Sequence, residues 1–371
     1  MRVGVDASFL DDTYKGGKEQ VLLNLVRGFV HHGYASHLVV FGSQKSKHKF
    51  EAISNEILFI SYPVLDNPNF RLLFKVIYFR TFILPREVDK NAVDILLMNI
   101  SYTGFTRFSI PTIVMPHDIQ FKYNPSQYTK IQLLRDTFCY YWDFRLRDHI
   151  LAVSNFDKEQ IIMHYPQFSE KVKKIYNPVI AGKNSSCNHG LSYDFPYIFA
   201  NNLAYPHKNA DTLIEAFNKI LDQTNCHLVI SGHFHVENQN TKNLIIKLQT
   251  NHRLHLLGHL SDKDFQSILI GSMLYVNPSS FEGFGMSAVE AMLSSVPCLL
   301  ANNSAVFEIT LGRAAYYKPS NNPCVLADSL IDCLKNAPTD AYLELTRQLM
   351  FSHYDYRVIA NQYLDFFRRI L

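Results

Sequence analysis

Short apolar runs alternate with longer stretches whose apolar residues recur at helical spacing, and the alternation continues for most of the chain. Runs of the first kind suit strands buried on both faces and stretches of the second suit amphipathic helices, so the pattern predicts parallel sheets covered by helices. In the first half, strands are expected at "RVGVDA", "SHLVVFG", "EILFIS", "DILLMN", "PTIVMP", "HILAVS" and "KKIYNPV", with helices beginning near Lys18, Phe70, Pro125 and Asn155. In the second half they are expected at "PYIFA", "CHLVIS", "LHLLG", "MLYVN" and "PCLLA". Between the halves, "IAGKNSSCNHGLSYD" is rich in Ser, Asn and Gly, lacks an apolar period and reads as a linker.

The expected organisation is therefore α/β twice over: residues 1–179, a linker over 180–194, and residues 195–353. The tail beyond about residue 354 forms an amphipathic helix with Val358, Tyr363, Leu364, Phe367 and Leu371 near one side, able to pack on either domain. No internal repeat or low-complexity tract interrupts the pattern.

Composition sharpens this picture without redirecting it. A chain of 371 residues exceeds the usual single core, and 47% hydrophobic with 19% charged residues is ample for two. A net charge of +3 is too mild for a nucleic-acid binder. The six cysteines (Cys139, Cys187, Cys226, Cys298, Cys324, Cys333) are scattered, without metal spacing, and fit a reducing cytosol. The opening "MRVGVDASFL" reads as a strand rather than a secretory leader. The longest uncharged run, Phe265 to Phe281, holds Asn277, Pro278 and several serines and does not read as a membrane span.

Ligands of open parallel sheets bind at the carboxyl ends of strands, so the loops there carry the candidate chemistry. In "NPSSFEGFGMSAVEAML", Gly283 and Gly285 allow a tight turn into a helix whose first amides, at Phe284, Gly285 and Met286, suit an anion or a sugar oxygen. Glu290 falls beside Ser287 and Ser294, off the apolar stripe of Met286, Val289, Leu293 and Val296. Carboxylates accept hydrogen bonds from vicinal hydroxyls, so Glu282 and Glu290 could each hold a sugar ring; a charge complementing the helix dipole and a solvated polar face explain them equally well. In "NNLAYPHKNADTLIEAF", Lys208 precedes a helix that Asn209 or Asp211 can cap, placed either to neutralise a phosphate or simply to be solvated. Gly16 and Gly17, before the first helix, form a phosphate-binding turn or an ordinary one. His117 and Asp118 follow a strand end, where a histidine contacts substrate or serves a structural hydrogen bond. "DKD" at Asp262 to Asp264 reads as a capped helix start rather than a metal site.

The order of these pieces (Gly-Gly, His-Asp, "AVSNF", "IYNPV", "HKN", "LLGHLSD", then Glu-Gly-Phe-Gly with a second Glu) resembles retaining family 4 glycosyltransferases of the GT-B fold over nearly the whole chain. Within them it is most similar to bacterial mannosyl- and rhamnosyltransferases of surface-polysaccharide assembly. The resemblance implies two Rossmann-like domains facing across a cleft. It implies transfer of a hexose or deoxyhexose from a nucleoside-diphosphate sugar to a saccharide or lipid-linked saccharide, without metal or other cofactor, as in O-antigen, capsule or lipopolysaccharide synthesis. By the same resemblance, Glu282 touches the donor sugar with the Phe284, Gly285 and Met286 amides, Glu290 holds the ribose and Lys208 neutralises the diphosphate. Gly16 and Gly17 approach the phosphate or acceptor, His117 sits by the transferred sugar, and Gly258 and Leu260 border the base. The sequence departs from the family at Asn202, where many members have arginine, and at His207, where arginine is common; both count here as donor-side positions. A cytoplasmic enzyme is expected, peripheral at the inner face of the plasma membrane if residues 70–86, which mix Arg71, Lys75, Arg80 and Arg86 with aromatic residues, lie on a bilayer rather than bury a broad helix face. A nucleotide-sugar epimerase and a catalytically silent sugar-nucleotide-binding partner are the competing readings.

Overall fold

The computed structural model of the chain describes residues 1–10, 16–69, 71–98, 104–180 and 190–371. They form two compact units, Met1–Val179 with Tyr354–Leu371, and Ile180–His353.

In the first unit the strands are β1 (Val3–Ala7), β2 (Leu38–Gly42), β3 (Leu58–Ser61), β4 (Ile95–Met98), β5 (Thr112–Val114), β6 (His149–Ala152) and β7 (Val172–Lys174). They lie in the order β3-β2-β1-β4-β5-β6-β7, with every described pairing parallel. The second unit holds β8 (Tyr197–Leu203), β9 (His227–Phe234), β10 (Leu254–Leu256), β11 (Leu274–Asn277), β12 (Cys298–Ala301) and β13 (Ala315–Tyr317), in the order β10-β9-β8-β11-β12-β13, again all parallel. Parallel sheets need cover on both faces, which is why β2, β4 and β12 are apolar runs buried at every position and β1, apolar but for Asp6, is buried throughout as well. Both sheets reverse strand order beside their first strand, between β1 and β4 and between β8 and β11, and that reversal is where doubly wound sheets open a crevice at their carboxyl ends.

Several elements differ from the sequence expectation. The short β13 was not expected, because three residues are too few to show a period. Only Val172–Lys174 of the "KKIYNPV" region pairs in the first sheet, and Val179 instead bridges Asp355. Pro125 opens a 3-10 turn, and the helix that follows is Lys130–Leu146, set by a capping box: Thr129 accepts from the Gln132 amide while the Gln132 side chain takes the Thr129 amide. The expected start at Phe70 falls outside the described residues, and the helix there runs Leu72–Tyr78, then a π-turn Phe79–Ile83, then Leu84–Lys90. The helix over Asp262–Ile270 is capped by Ser261, whose hydroxyl accepts from the Asp264 amide.

The terminal helix Tyr356–Ile370 packs on the first unit, against Gly17–His31. Phe29 meets the rings of Tyr363 and Phe367, with centroids 6.3 and 5.8 Å away. Gly28 permits the approach, since a Cβ there would run into the Ala360 methyl and the Tyr356 carbonyl. Tyr363, Leu364 and Phe367 are buried as the pattern required, whereas Leu371 is exposed.

Of the two readings of residues 70–86, a basic side laid on a bilayer or a broad buried helix face, Arg80 follows the second. It is wholly buried, and its Nε donates to Asp6 Oδ2 at 2.6 Å. Asp143 and Arg147, also buried, lie with it; the Arg147 guanidinium donates to the Gly104 carbonyl at 2.7 Å. Burial pushes the Asp143 carboxyl up to about 6 against the opposing pull of Arg147 and Arg80. On the outside of the same segment Phe74, Tyr78 and Phe82 are exposed, so its apolar residues are not all turned inward. Among the described residues no helix is long and apolar enough to cross a membrane.

Candidate active site

Two loops of the second unit meet where its strand order reverses, one following β8 and the other β11. After β8, Pro206–Lys208 makes a single 3-10 turn and Asn209 takes a left-handed conformation (φ 49°) before the helix Ala210–Ile220. The Asn209 side chain does not cap that helix, contrary to expectation. It donates instead to the Pro278 carbonyl at 2.8 Å and the Ser320 carbonyl at 3.3 Å, binding the first loop to the second. The His207 carbonyl adds to this by accepting from the Ser280 amide at 2.7 Å and the Ser280 hydroxyl at 3.2 Å. The His207 ring is buried and lies parallel to that of Tyr205.

With the loops so joined, Lys208 Nζ donates to Glu282 Oε1 at 2.7 Å. The same oxygen accepts from the Asn277 side chain at 3.0 Å, and the Glu282 amide donates to the Ser304 hydroxyl at 2.8 Å. Burial works to raise the Glu282 pKa. The Lys208 charge and hydrogen bonds from Lys208 and Asn277 outweigh it and hold the carboxyl below its ordinary value. Glu282 is thus a fixed anion.

Gly285 turns the chain into the helix Met286–Leu293 at φ 88°, a left-handed conformation that favours glycine. Phe284 is buried, Met286 and Ser287 are half-buried, and Glu290 lies one turn further along, half-buried. Glu290 contrasts with its neighbour: burial, with a smaller contribution from Asp262, pushes its carboxyl up to about 7. Tyr275 of β11 links this helix to β8. Its hydroxyl donates to Asn201 Oδ1 at 2.8 Å, and the Asn201 amide group donates to the Ser287 hydroxyl at 3.0 Å. Burial drives the Tyr275 pKa well up, and the charges of Glu282 and Glu290 both add to the effect.

Asn202, exposed and left-handed (φ 53°), lies against Gly232, where a Cβ would collide with its side-chain oxygen. The Gly232 amide donates to the Gly258 carbonyl, and Leu260 follows two residues later. Asn202 therefore lies near the carboxyl end of β8, and Gly258 and Leu260 lie in the loop after β10.

Three further sequence candidates belong to the other unit. Gly16 is extended (φ 172°), a conformation open to any residue, and Gly17 begins the first helix with open space around it. Residues 11–15, which precede them, lie outside the described residues. His117 follows β5, buried and left-handed (φ 67°), and the Asp118 carboxylate next to it accepts from the Gln120 amide at 3.2 Å.

Sequence reading missed Tyr275, Asn201, Asn277, Ser287 and Ser304. Asn277 could have been found, since it closes the strand five residues before Glu282. The others are joined only by the fold.

The two doubly wound parallel units, of seven and six strands, have the GT-B architecture. Residues 15–181 match the family described as "Glycosyltransferase Family 4" and residues 188–347 the family "Glycosyl transferases group 1". It is 26% identical over 220 residues to the O-antigen chain mannosyltransferase RfbU of Salmonella typhimurium, covering 58% of this chain and 60% of that one. The chain spans about half the length of the curated relatives it matches. Among solved structures, the sucrose-phosphate synthase of Thermosynechococcus elongatus shares the fold at TM-score 0.74 and 15% identity, covering 99% of this chain and 98% of that one. HepE of Anabaena, in complex with UDP and glucose, does so at TM-score 0.70 and 16% identity, covering 99% of each.

Proposed function

We propose that the protein transfers a hexose or deoxyhexose from a nucleoside-diphosphate sugar to a saccharide or lipid-linked saccharide, with retention, in bacterial surface-polysaccharide synthesis such as that of O-antigen. The observation that carries this reading is the Lys208–Glu282 pair, held by two cross-linked loops beside a glycine turn and a second, separately tuned carboxyl at Glu290. The mannosyltransferase relative supports the pathway and the nucleotide bound to HepE supports the donor class.

In this reading Glu282 accepts hydrogen bonds from the sugar hydroxyls and Glu290 from the ribose. Lys208 moves its charge from Glu282 toward the departing diphosphate, assisted by the amides of Phe284, Gly285 and Met286 at the helix start. His207 and Asn202 complete the phosphate side, Gly258 and Leu260 border the base, and His117, Gly16 and Gly17 of the first unit serve the transferred sugar and acceptor. The anomeric carbon–oxygen bond to the diphosphate breaks as the acceptor oxygen bonds to the same face, and the acceptor proton passes to the leaving phosphate. Neither glutamate is a nucleophile, and charge stabilisation comes from Lys208 and amides without a metal.

The proposed setting is the cytoplasm, with peripheral contact of residues 70–86 at the inner membrane face. The exposed row of Phe74, Tyr78 and Phe82, with Arg71 and Arg86 exposed at either end, favours it.

Incubation with nucleotide sugars and a lipid-linked acceptor tests the whole reading. Transfer with a retained anomer is expected. Donor interconversion would replace it with an epimerase, and binding without turnover with a silent partner protein.

A further inference from the structure

The helix Lys130–Leu146 carries a second outward apolar row. Ile131, Leu134 and Phe138 stand at helical spacing on one face and are 82, 75 and 49% exposed, whereas Cys139 and Phe144 bury the opposite side. An amphipathic helix ordinarily turns such a row into its core. Phe105, itself exposed, joins this row to that of residues 74–82. Its amide donates to the Thr81 hydroxyl at 3.2 Å, and its ring lies 6.1 Å from Phe138 and 6.4 Å from Trp142. Beneath them Gly104 ties the parts together: its carbonyl accepts from Arg147 at the end of the second helix, and it packs against Arg80 of the π-turn so closely that a Cβ there would collide with it. The two rows are therefore one fixed face of the first unit.

Resting on the membrane contact proposed above, we propose that Lys130–Leu146 supplies the second half of a two-helix docking face whose occupant is an anionic phospholipid bilayer. The charge around the face selects that occupant. Arg71, Arg86, Lys130, Arg135 and Arg145 are exposed and Lys75 is half-buried, against exposed Asp89 and half-buried Glu87 and Asp136. The Arg145 guanidinium lies 5.8 Å from the centre of the Trp142 ring, an arrangement suited to the headgroup level, where an aromatic body sits in the apolar boundary and the cation meets phosphate. A second copy of the chain would bring the same basic rim against this one and be repelled.

The test is co-sedimentation of the full chain with vesicles of phosphatidylglycerol and phosphatidylethanolamine, and with phosphatidylcholine alone. Two variants are compared, Ile131→Ser/Leu134→Ser/Phe138→Ser and Phe74→Ser/Phe82→Ser, each checked by thermal melting and by nucleoside-diphosphate binding. Binding of the wild type to the anionic vesicles only, weakened about tenfold or more in both variants with melting and nucleotide binding kept, supports the proposal. If only the Phe74/Phe82 variant is weakened, the role of Lys130–Leu146 is overturned while the membrane contact of 70–86 stands. If the wild type binds neither vesicle, both fall. Equal binding to phosphatidylcholine overturns the anionic occupant, and a dimer abolished by the triple substitution assigns the face to a second copy.

Discussion

Lys208 and Glu282 satisfy one another across 74 residues of chain, the ammonium 2.7 Å from a carboxylate oxygen that Asn277 also holds. The cation proposed for the diphosphate thus has a partner before any donor arrives, and donor binding must redistribute that bond. Lys208→Met should cost nucleoside-diphosphate affinity about tenfold or more. It should also cost about 1–3 kcal/mol of stability, because a half-buried carboxylate loses its cation. Adding Glu282→Gln should recover much of the stability but none of the affinity, as urea unfolding and thermal shift on the wild type, each single variant and the double variant would show.

Glu282→Ala should abolish transfer and leave the fold largely intact, since the residue precedes the helix rather than packing in its apolar stripe. A turnover assay beside a melting curve checks it, and unimpaired turnover would remove Glu282 from the site.

Asn202 invites a gain. An arginine there adds a permanent cation at the carboxyl end of β8, at a backbone cost of about 1–2 kcal/mol for a longer side chain in the left-handed region. Asn202→Arg should therefore melt earlier without ligand, yet bind nucleoside diphosphate more tightly and with steeper salt dependence. Titrations at low and moderate ionic strength measure both changes.

Glu290 gives the pH dependence. Its folded pKa of about 7 lies above the ordinary carboxyl value, so the fold favours the protonated form. The stability this contributes is full below the unfolded pKa of about 4.3 and is lost as pH rises through about 7. Ribose hydroxyls donate to the carboxylate, so nucleotide binding should follow the opposite course and strengthen across the same range. Glu290→Gln should flatten both trends, which melting curves and binding titrations from about pH 5 to 8 would reveal.

Gly28→Val should separate the terminal helix from Gly17–His31, because the new side chain meets Ala360 and the Tyr356 carbonyl. A destabilisation of about 1–3 kcal/mol is expected, with hydrogen exchange rising first in Tyr356–Ile370.

How much of this was legible in the sequence depended on whether a feature is local. Buried parallel strands leave continuous apolar runs, so all but one were found, and β13 escaped for its shortness. The Glu-Gly-Phe-Gly turn and His-Lys-Asn loop declared themselves because glycine and charge beside a strand end have few uses. Their mutual bond did not, since nothing in "HKN" indicates that Asn209 reaches Pro278 or that Lys208 meets Glu282. The partner of Arg80 was hidden for a related reason. Within its own segment Arg80 looks like one of a basic set, and only the fold brings it to Asp6 in β1.

The return of Tyr356–Ile370 to the first unit has a consequence for the order in which the protein is made. The face of Gly17–His31 that Phe29 and Gly28 offer is translated early, but its cover follows the whole stretch between Val179 and Tyr354. At about 5–20 residues per second, that face waits on the order of ten seconds or more for its partner. During synthesis the first unit is a domain with an uncovered apolar seam, and a chaperone that shields this seam would be helping the newborn chain until Tyr356–Ile370 arrives.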